Sequence, residues 1–247
     1  MNPWLIGVPA AVVAAGGVTS FAAVKASSQL FGETIRTTAS PHELAITFDD
    51  GPNPAITPKL LKLLEVHNAK ATFFVIGRFV RECPELTKEI ASFGHVLGNH
   101  TENHANLFWA STGKIREQLQ RCSQALEDII GVKTELFRPP WGYRNPWVVS
   151  IARELGMRTV LWTLIPGDWK EQPPEWLMER MRPIARRAEA VSVRNTGDVL
   201  CLHDGAYREL GGDRSRTLAA LAYWLPRWRD QGLKFVTISD AMKAPAR

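Results

Sequence analysis

The sequence predicts an α/β protein whose mostly parallel sheet is curled into a closed or distorted barrel. Short β-rich runs alternate with helical stretches along most of the chain, the pattern of strands joined by crossover helices. Seven such runs fit a barrel better than an open dinucleotide sheet, and no Gly-x-Gly-x-x-Gly follows the first of them. Unusual polar residues also gather where these strands end, the edge at which parallel α/β architectures build their sites.

Strands are expected at 44–48, 71–75, 95–98, 134–137, 158–163, 199–202 and 234–238. Helices are expected between most of them, at 57–67, 84–93, 112–130, 146–155, 174–190 and 214–231. Thr112 is placed to cap the third helix and Gly131 to close it. Asn145 and Pro146 form an N-cap and N1 pair before the fourth. The stretch 27–41 reads as a polar connector, and residues 42–247 as one domain.

Composition narrows the class. The 247 residues are 45% hydrophobic and 22% charged, with 30 Lys and Arg against 25 Asp and Glu, a net +5. A disordered chain, a collagen and a disulfide-dense miniprotein are excluded. Three cysteines cannot all pair internally, and their spacing matches no zinc knuckle. The arginines between Arg180 and Arg194 read as a solvated helix face, and no nucleic-acid partner is expected. A monomer is assumed.

The N-terminus departs from a soluble pattern. From Trp4 to Val24 the chain has no charge, and as a helix it would span roughly 30 Å, the thickness of a bilayer core. A membrane anchor within residues 1–26 is favoured over a cleaved signal segment, which the small residues around Lys25 would also permit. A helix packed on protein is the plainer alternative. Lys25 and Arg36 follow the run, so the positive-inside rule would put the body in the cytoplasm, whereas an anchored or exported envelope protein is the broader expectation.

Five clusters carry chemistry. His100-Thr101-Glu102-Asn103-His104 spaces two imidazoles for one face of a helical turn, so both can reach one metal ion. A carboxylate from a neighbouring strand end would complete a two-His, one-carboxylate set with positions left open for water and substrate, the pattern of a catalytic zinc or a non-haem iron. Asp49-Asp50 in Thr47-Phe48-Asp49-Asp50-Gly51-Pro52 offers that carboxylate. Two adjacent acids at a strand end repel unless a cation relieves them, so one suits a ligand and the other a base; the residues alone leave open which is which.

Arg138-Pro139-Pro140-Trp141-Gly142 holds an Arg and a Trp on a stiffened backbone, and an Arg beside the acid pair would keep a carboxylate ionised and oriented. Asp168-Trp169 is the fourth cluster. The fifth, Leu200-Cys201-Leu202-His203-Asp204, is an apolar strand ending in a histidine suited to general acid work, whose pKa an acid such as Asp168 would raise. His42, His67 and His95 lack partners and read as structural or exposed. Trp109, Trp141 and Trp169 are placed to stack on sugar faces; Trp162, Trp224 and Trp228 read as core or helix-face residues.

These five clusters, in this order, resemble the five motifs of the polysaccharide deacetylases, the NodB-like carbohydrate esterase family 4, from about residue 43 to residue 238. The resemblance implies a distorted (β/α)7 barrel as a single catalytic domain behind an N-terminal apolar helix. It implies metal-dependent removal of acetyl groups from a glycan, most simply N-acetylglucosamine units, or alternatively O-acetyl esterase action on a polymer such as xylan. Carried over by position, Asp49 resembles the catalytic base, and Asp50, His100 and His104 the ligands of a divalent metal, zinc first, with cobalt, nickel or manganese as alternatives. Arg138 resembles the residue that orients the base, His203 the acid, and Asp168 its partner. Trp141, Trp169 and Leu202 resemble substrate contacts, with the Trp141 N–H on the oxyanion.

Two positions depart from the pattern: Ile165 stands where an acid is frequent, and Cys201 where Leu is usual, which predicts a slightly wider acetyl pocket. A non-haem iron oxygenase and a non-catalytic glycan-binding module are the rival readings. The first leaves Asp49, Arg138 and His203 without work, and the second does not need the full ionisable set.

Overall fold

The computed structural model describes Phe21 and residues 23–242, so the apolar run expected at 4–24 lies almost wholly outside it. Among the described residues no helix is long and apolar enough to cross a membrane.

Seven parallel strands form one sheet: β1 (Glu43–Gly51), β2 (Ala71–Val75), β3 (Val96–Asn99), β4 (Leu136–Phe137), β5 (Arg158–Thr159), β6 (Asp198–His203) and β7 (Lys234–Phe235). They pair in the order β5-β4-β3-β2-β1-β6, and β7 pairs with the start of β1. Between and after them run α1 (Thr57–Val66), α2 (Gly77–Glu82), α3 (Pro84–Ser92), α4 (Thr112–Ile130), α5 (Val148–Glu154), α6 (Pro174–Glu189), α7 (Ser215–Asp230) and α8 (Ile238–Ala241).

The central strand β1 explains the curl. It is buried on both faces, as a strand must be when helices cover one side and the sheet wraps round the other. Side chains alternate along it. Leu44, Ile46 and Phe48 point outward into the main core with Leu200 and Leu202 of β6 and with α1, α6 and α7. Ala45 points inward with Phe74, Leu136, Val160 and Val199. The same alternation carries Thr47 and Asp49 inward, above Ala45.

The sheet is curled into a half-barrel whose open side is bridged by residues 160–164. This stretch leaves β5, bridges Ile35 at Val160, then bridges Leu200 of β6 at Leu164, with the Cys201 N–H donating to Leu164 O at 2.9 Å. The strand expected at 158–163 is thus a two-residue ladder followed by a crossing segment, because its neighbour changes midway. Part of the 27–41 connector joins the sheet edge: Ile35 N–H donates to Thr159 O at 2.9 Å, and Leu161 N–H to Ile35 O at 2.7 Å.

Other expectations are corrected locally. Ser111, not Thr112, caps α4, its hydroxyl accepting the Lys114 N–H at 3.3 Å. Gly131 does close α4, at φ 69°. Asn145 is not the cap of α5, which starts at Val148; its amide instead donates to the carbonyls of Leu107, Phe108 and Ala110. The run at 234–238 splits, because Thr237 accepts the Asp240 N–H and starts α8. Helix α2 is too short for its periodicity to register in sequence.

Candidate active site

The site lies where the inward alternation of β1, β4 and β6 runs out into loops. Asp49 ends the inward row of β1, beside His203 in register on β6. Arg138, one residue past β4, fills the space beneath with no solvent exposure. Its Nη1 donates to Thr47 Oγ1 and Asp49 Oδ1, both at 2.7 Å. Its Nε and Nη2 donate to the carbonyls of Val160 and Leu161. The guanidinium rests 4.2 Å over the Phe74 ring. Gly98 makes this stack fit, since a Cβ there would sit 2.6 Å from that ring.

Asp50 breaks the alternation. At φ 72° it does not point outward as the next residue of the row would, so two sequential acids both line the cavity. Thr101, His104 and Trp141 are also left-handed, at φ 68°, 57° and 55°. Outside glycine such backbone costs about 1–3 kcal/mol per residue and concentrates at functional sites. The two histidines are therefore not on a helix, as their spacing suggests; a turn through Thr101 brings them together. It is held by Thr101 N–H to Asn99 Oδ1 at 2.8 Å and by Gly77 N–H to Thr101 O at 3.0 Å.

The result is a three-residue cluster. Asp50 Oδ1 lies 3.5 Å from His100 Nε2 and 3.2 Å from His104 Nε2, all three residues buried. Ligands bound tetrahedrally at about 2.0–2.1 Å sit about 3.4 Å apart, so this spacing suits a zinc-sized ion. His100 Nδ1 lies 2.8 Å from Arg138 O. It donates there, which leaves the Nε2 lone pair free for a metal. Burial, then the charge of His100, lowers the His104 pKa to about 3, so that ring is neutral as a ligand must be. Burial pushes Asp50 up, but the neighbouring His100, His203 and His104 rings outweigh it and bring the group to about 2. Asp50 Oδ1 is buried with no hydrogen-bond partner. The donor set, its spacing and this orphaned atom fit a divalent cation.

His203 faces the cluster. Its Nδ1 lies 2.8 Å from Asp168 Oδ1, and its backbone N–H donates to Asp168 Oδ2 at 2.8 Å. Thr217 of α7 donates to the same Oδ2 at 2.9 Å. Burial lowers the His203 pKa, but the charge and hydrogen bond of Asp168, joined by Asp50 and Asp49, raise it to about 9. Trp169 stands edge-on to the ring at 5.1 Å.

A cavity of about 620 Å³ opens above these groups, its wall including Trp141, Trp162, Ile165, Trp169 and Tyr207. Two expectations do not hold here. Leu202 points outward into the main core and does not line the cavity. Cys201 is fully buried beneath Asp49 rather than in the pocket wall. Burial, then the charge of Asp49, pushes its thiol well up, so it remains S–H and donates to Asp49 Oδ2 at 3.4 Å.

Sequence reasoning missed several residues. Thr47 holds Arg138 and Thr217 holds Asp168 in place only through the fold, although Thr47 opens the Asp49–Asp50 cluster. Tyr207, Arg208, Glu209 and Arg214 line the cavity from the loop after β6. Tyr207 stacks on His104 at 4.3 Å, and its closeness to His203 in sequence is the one available signal.

This fold and site define a carbohydrate esterase of the acetyl-removing kind. Residues 36–160 match the family model for polysaccharide deacetylase. The chain is 40% identical to a peptidoglycan-N-acetylglucosamine deacetylase of Bacillus cereus over 81% of this chain and 88% of that one. It is 34% identical to a chitooligosaccharide deacetylase of Azorhizobium caulinodans over 82% and 96%. Among solved structures, the peptidoglycan N-acetylglucosamine deacetylase Bc1960, in complex with 4-naphthalen-1-yl-N-oxidanyl-benzamide, superposes with a TM-score of 0.74 at 30% identity, covering 84% of this chain and 92% of that one. The chain belongs to the polysaccharide deacetylase family.

Proposed function

We propose that the protein is a metal-dependent deacetylase of N-acetylglucosamine units in an envelope glycan, releasing acetate and leaving a free amine. The observation that carries this reading is the pairing of Asp49 and His203, side by side on β1 and β6, next to the Asp50–His100–His104 cluster at the base of one cavity. The names of the two relatives support the substrate class.

Asp50, His100 and His104 would hold a divalent ion, zinc first, which would supply Lewis-acid stabilisation to the developing oxyanion when bound. Asp49, oriented by Arg138 and Cys201, accepts a proton from the attacking water. The Trp141 N–H donates to the oxyanion. His203, protonated at neutral pH and oriented by Asp168, gives its proton to the departing amine nitrogen as the C–N bond breaks. Trp169 walls the acetyl methyl.

Residues 42–247 are the catalytic domain, read as a distorted (β/α)7 barrel, and residues 27–41 the connector. Residues 1–26 attach the domain to the membrane.

Acetate release by the purified, metal-reconstituted full chain tests the reading. Activity on peptidoglycan and N-acetylglucosamine oligomers is expected. Release from acetylated xylan alone would overturn the N-deacetylase assignment.

A further inference from the structure

Two consecutive buried residues, Arg144 and Asn145, tie three surface segments together beside the cavity mouth. The Arg144 N–H donates to Ala23 O at 3.0 Å, and its guanidinium donates to Lys25 O at 2.7 Å and Ser28 O at 3.3 Å. Asn145 gathers the carbonyls of Leu107, Phe108 and Ala110, at 3.0, 3.3 and 3.1 Å. The segments 23–32, 105–111 and 139–150 are therefore joined side by side, and Trp141 within them lines the cavity.

This face is unusual in what it exposes. Trp109 is 82% exposed, Trp147 56%, Phe21 58% and Val24 54%. The three segments contain no Asp or Glu, and Arg144 and Lys25 are their only cations. Exposed aromatic rings on segments free of acids, with Glu33 at their border, suit the headgroup region of a bilayer, where amphipathic rings partition and carboxylates are repelled by anionic lipid. The chain outside the described residues also ends here: the uncharged run beginning at Trp4 joins the face at Phe21–Val24.

We infer that this face lies on the lipid bilayer, with Trp109 and Trp147 seated in the interface, so that the cavity opens along the membrane surface and takes glycan lying there. The inference rests on the reading of residues 1–26 as the membrane attachment. It adds which side of the domain meets the lipid and which residues touch it.

The test uses the full chain, carrying Trp4→Phe so that the apolar run's own indole is silent, in phosphatidylcholine–phosphatidylglycerol vesicles. Flotation reports attachment. Quenching of tryptophan fluorescence by lipids brominated near the headgroup reports contact. Part of the emission is expected to be quenched, and Trp109→Phe with Trp147→Phe is expected to remove that part while flotation stays unchanged. A chain that floats with the same quenched emission in both proteins leaves the attachment standing and overturns the orientation. A chain that does not float overturns both. Protection of Trp109 and Trp147 by a soluble N-acetylglucosamine oligomer, or a change in oligomeric state in the double variant, would assign the face to sugar or to a second copy instead.

Discussion

Asp168 grips His203 twice, through Nδ1 and through the backbone N–H, each at 2.8 Å. One carboxylate thus fixes both the tautomer and the position of the ring. Its charge is also the largest influence raising the His203 pKa to about 9, against a burial that alone would lower it.

A pH signature follows. The acid works only when protonated, so activity is expected to hold through neutral pH and fall as pH rises past about 9. Asp168→Asn keeps an acceptor but removes the charge. Its alkaline limb should drop to or below 6.5, the ordinary histidine value. Stability moves in the same sense. A raised folded pKa stabilises fully below the unfolded value and loses its contribution as pH climbs through about 9. The Tm gap between wild type and Asp168→Asn should therefore be widest in acid and narrow above that pH. A pH–rate profile with a parallel melting series checks both, and an unmoved alkaline limb would remove His203 from the acid role.

Asp49→Asn separates base from scaffold. The amide still accepts the Arg138 N–H but cannot take a proton from water, so acetate release should fall about 10²–10⁴-fold. Arg138 is left as a buried cation with no countercharge, and breaking such a pair costs about 3–5 kcal/mol. A lower Tm in a still-folded protein is expected, read by circular dichroism beside the kinetic assay.

The cluster predicts its own metal dependence. Chelation should abolish acetate release, and zinc should restore it. His104→Ala removes one of three ligands and leaves the stacked Tyr207 without its partner ring. Zinc affinity measured by calorimetry should fall at least tenfold. Activity that survives exhaustive chelation would leave Asp50, His100 and His104 as a buried polar cluster only.

How far the sequence could carry this follows from what each signal encodes. Alternation along β1 and β6 is local, so the strands and the inward placement of Asp49 and His203 were readable. The same alternation, applied to Leu202, already sends it outward. The His100–His104 pair was read rightly as a pair and wrongly as a helix, because spacing does not report the left-handed φ of Thr101. The end of β5 is not legible in the sequence, because a strand that changes neighbours keeps its apolar pattern. Thr217 and Tyr207 meet the site through long-range packing, which no local pattern records.

Gly205 tests how tightly the turn after β6 sets the Asp50–His100–His104 cluster. A Cβ there would run into the Asp50 carbonyl and lie 3.0 Å from the Gly51 nitrogen. Both neighbours are backbone, so neither can swing aside as a flexible side chain would. Gly205→Ala must therefore displace the β1 turn that holds Asp50 in its left-handed conformation. The expected cost is about 1–3 kcal/mol of stability, with zinc affinity falling alongside activity. Gly113 supplies the control, since a Cβ there meets nothing within 4 Å at the start of α4. Gly113→Ala should gain about 0.4–1 kcal/mol by restricting the unfolded chain and leave zinc affinity unchanged. Thermal melts with zinc titrations on the two variants decide the matter. Equal metal affinity in both would mean that the turn after β6 does not position Asp50.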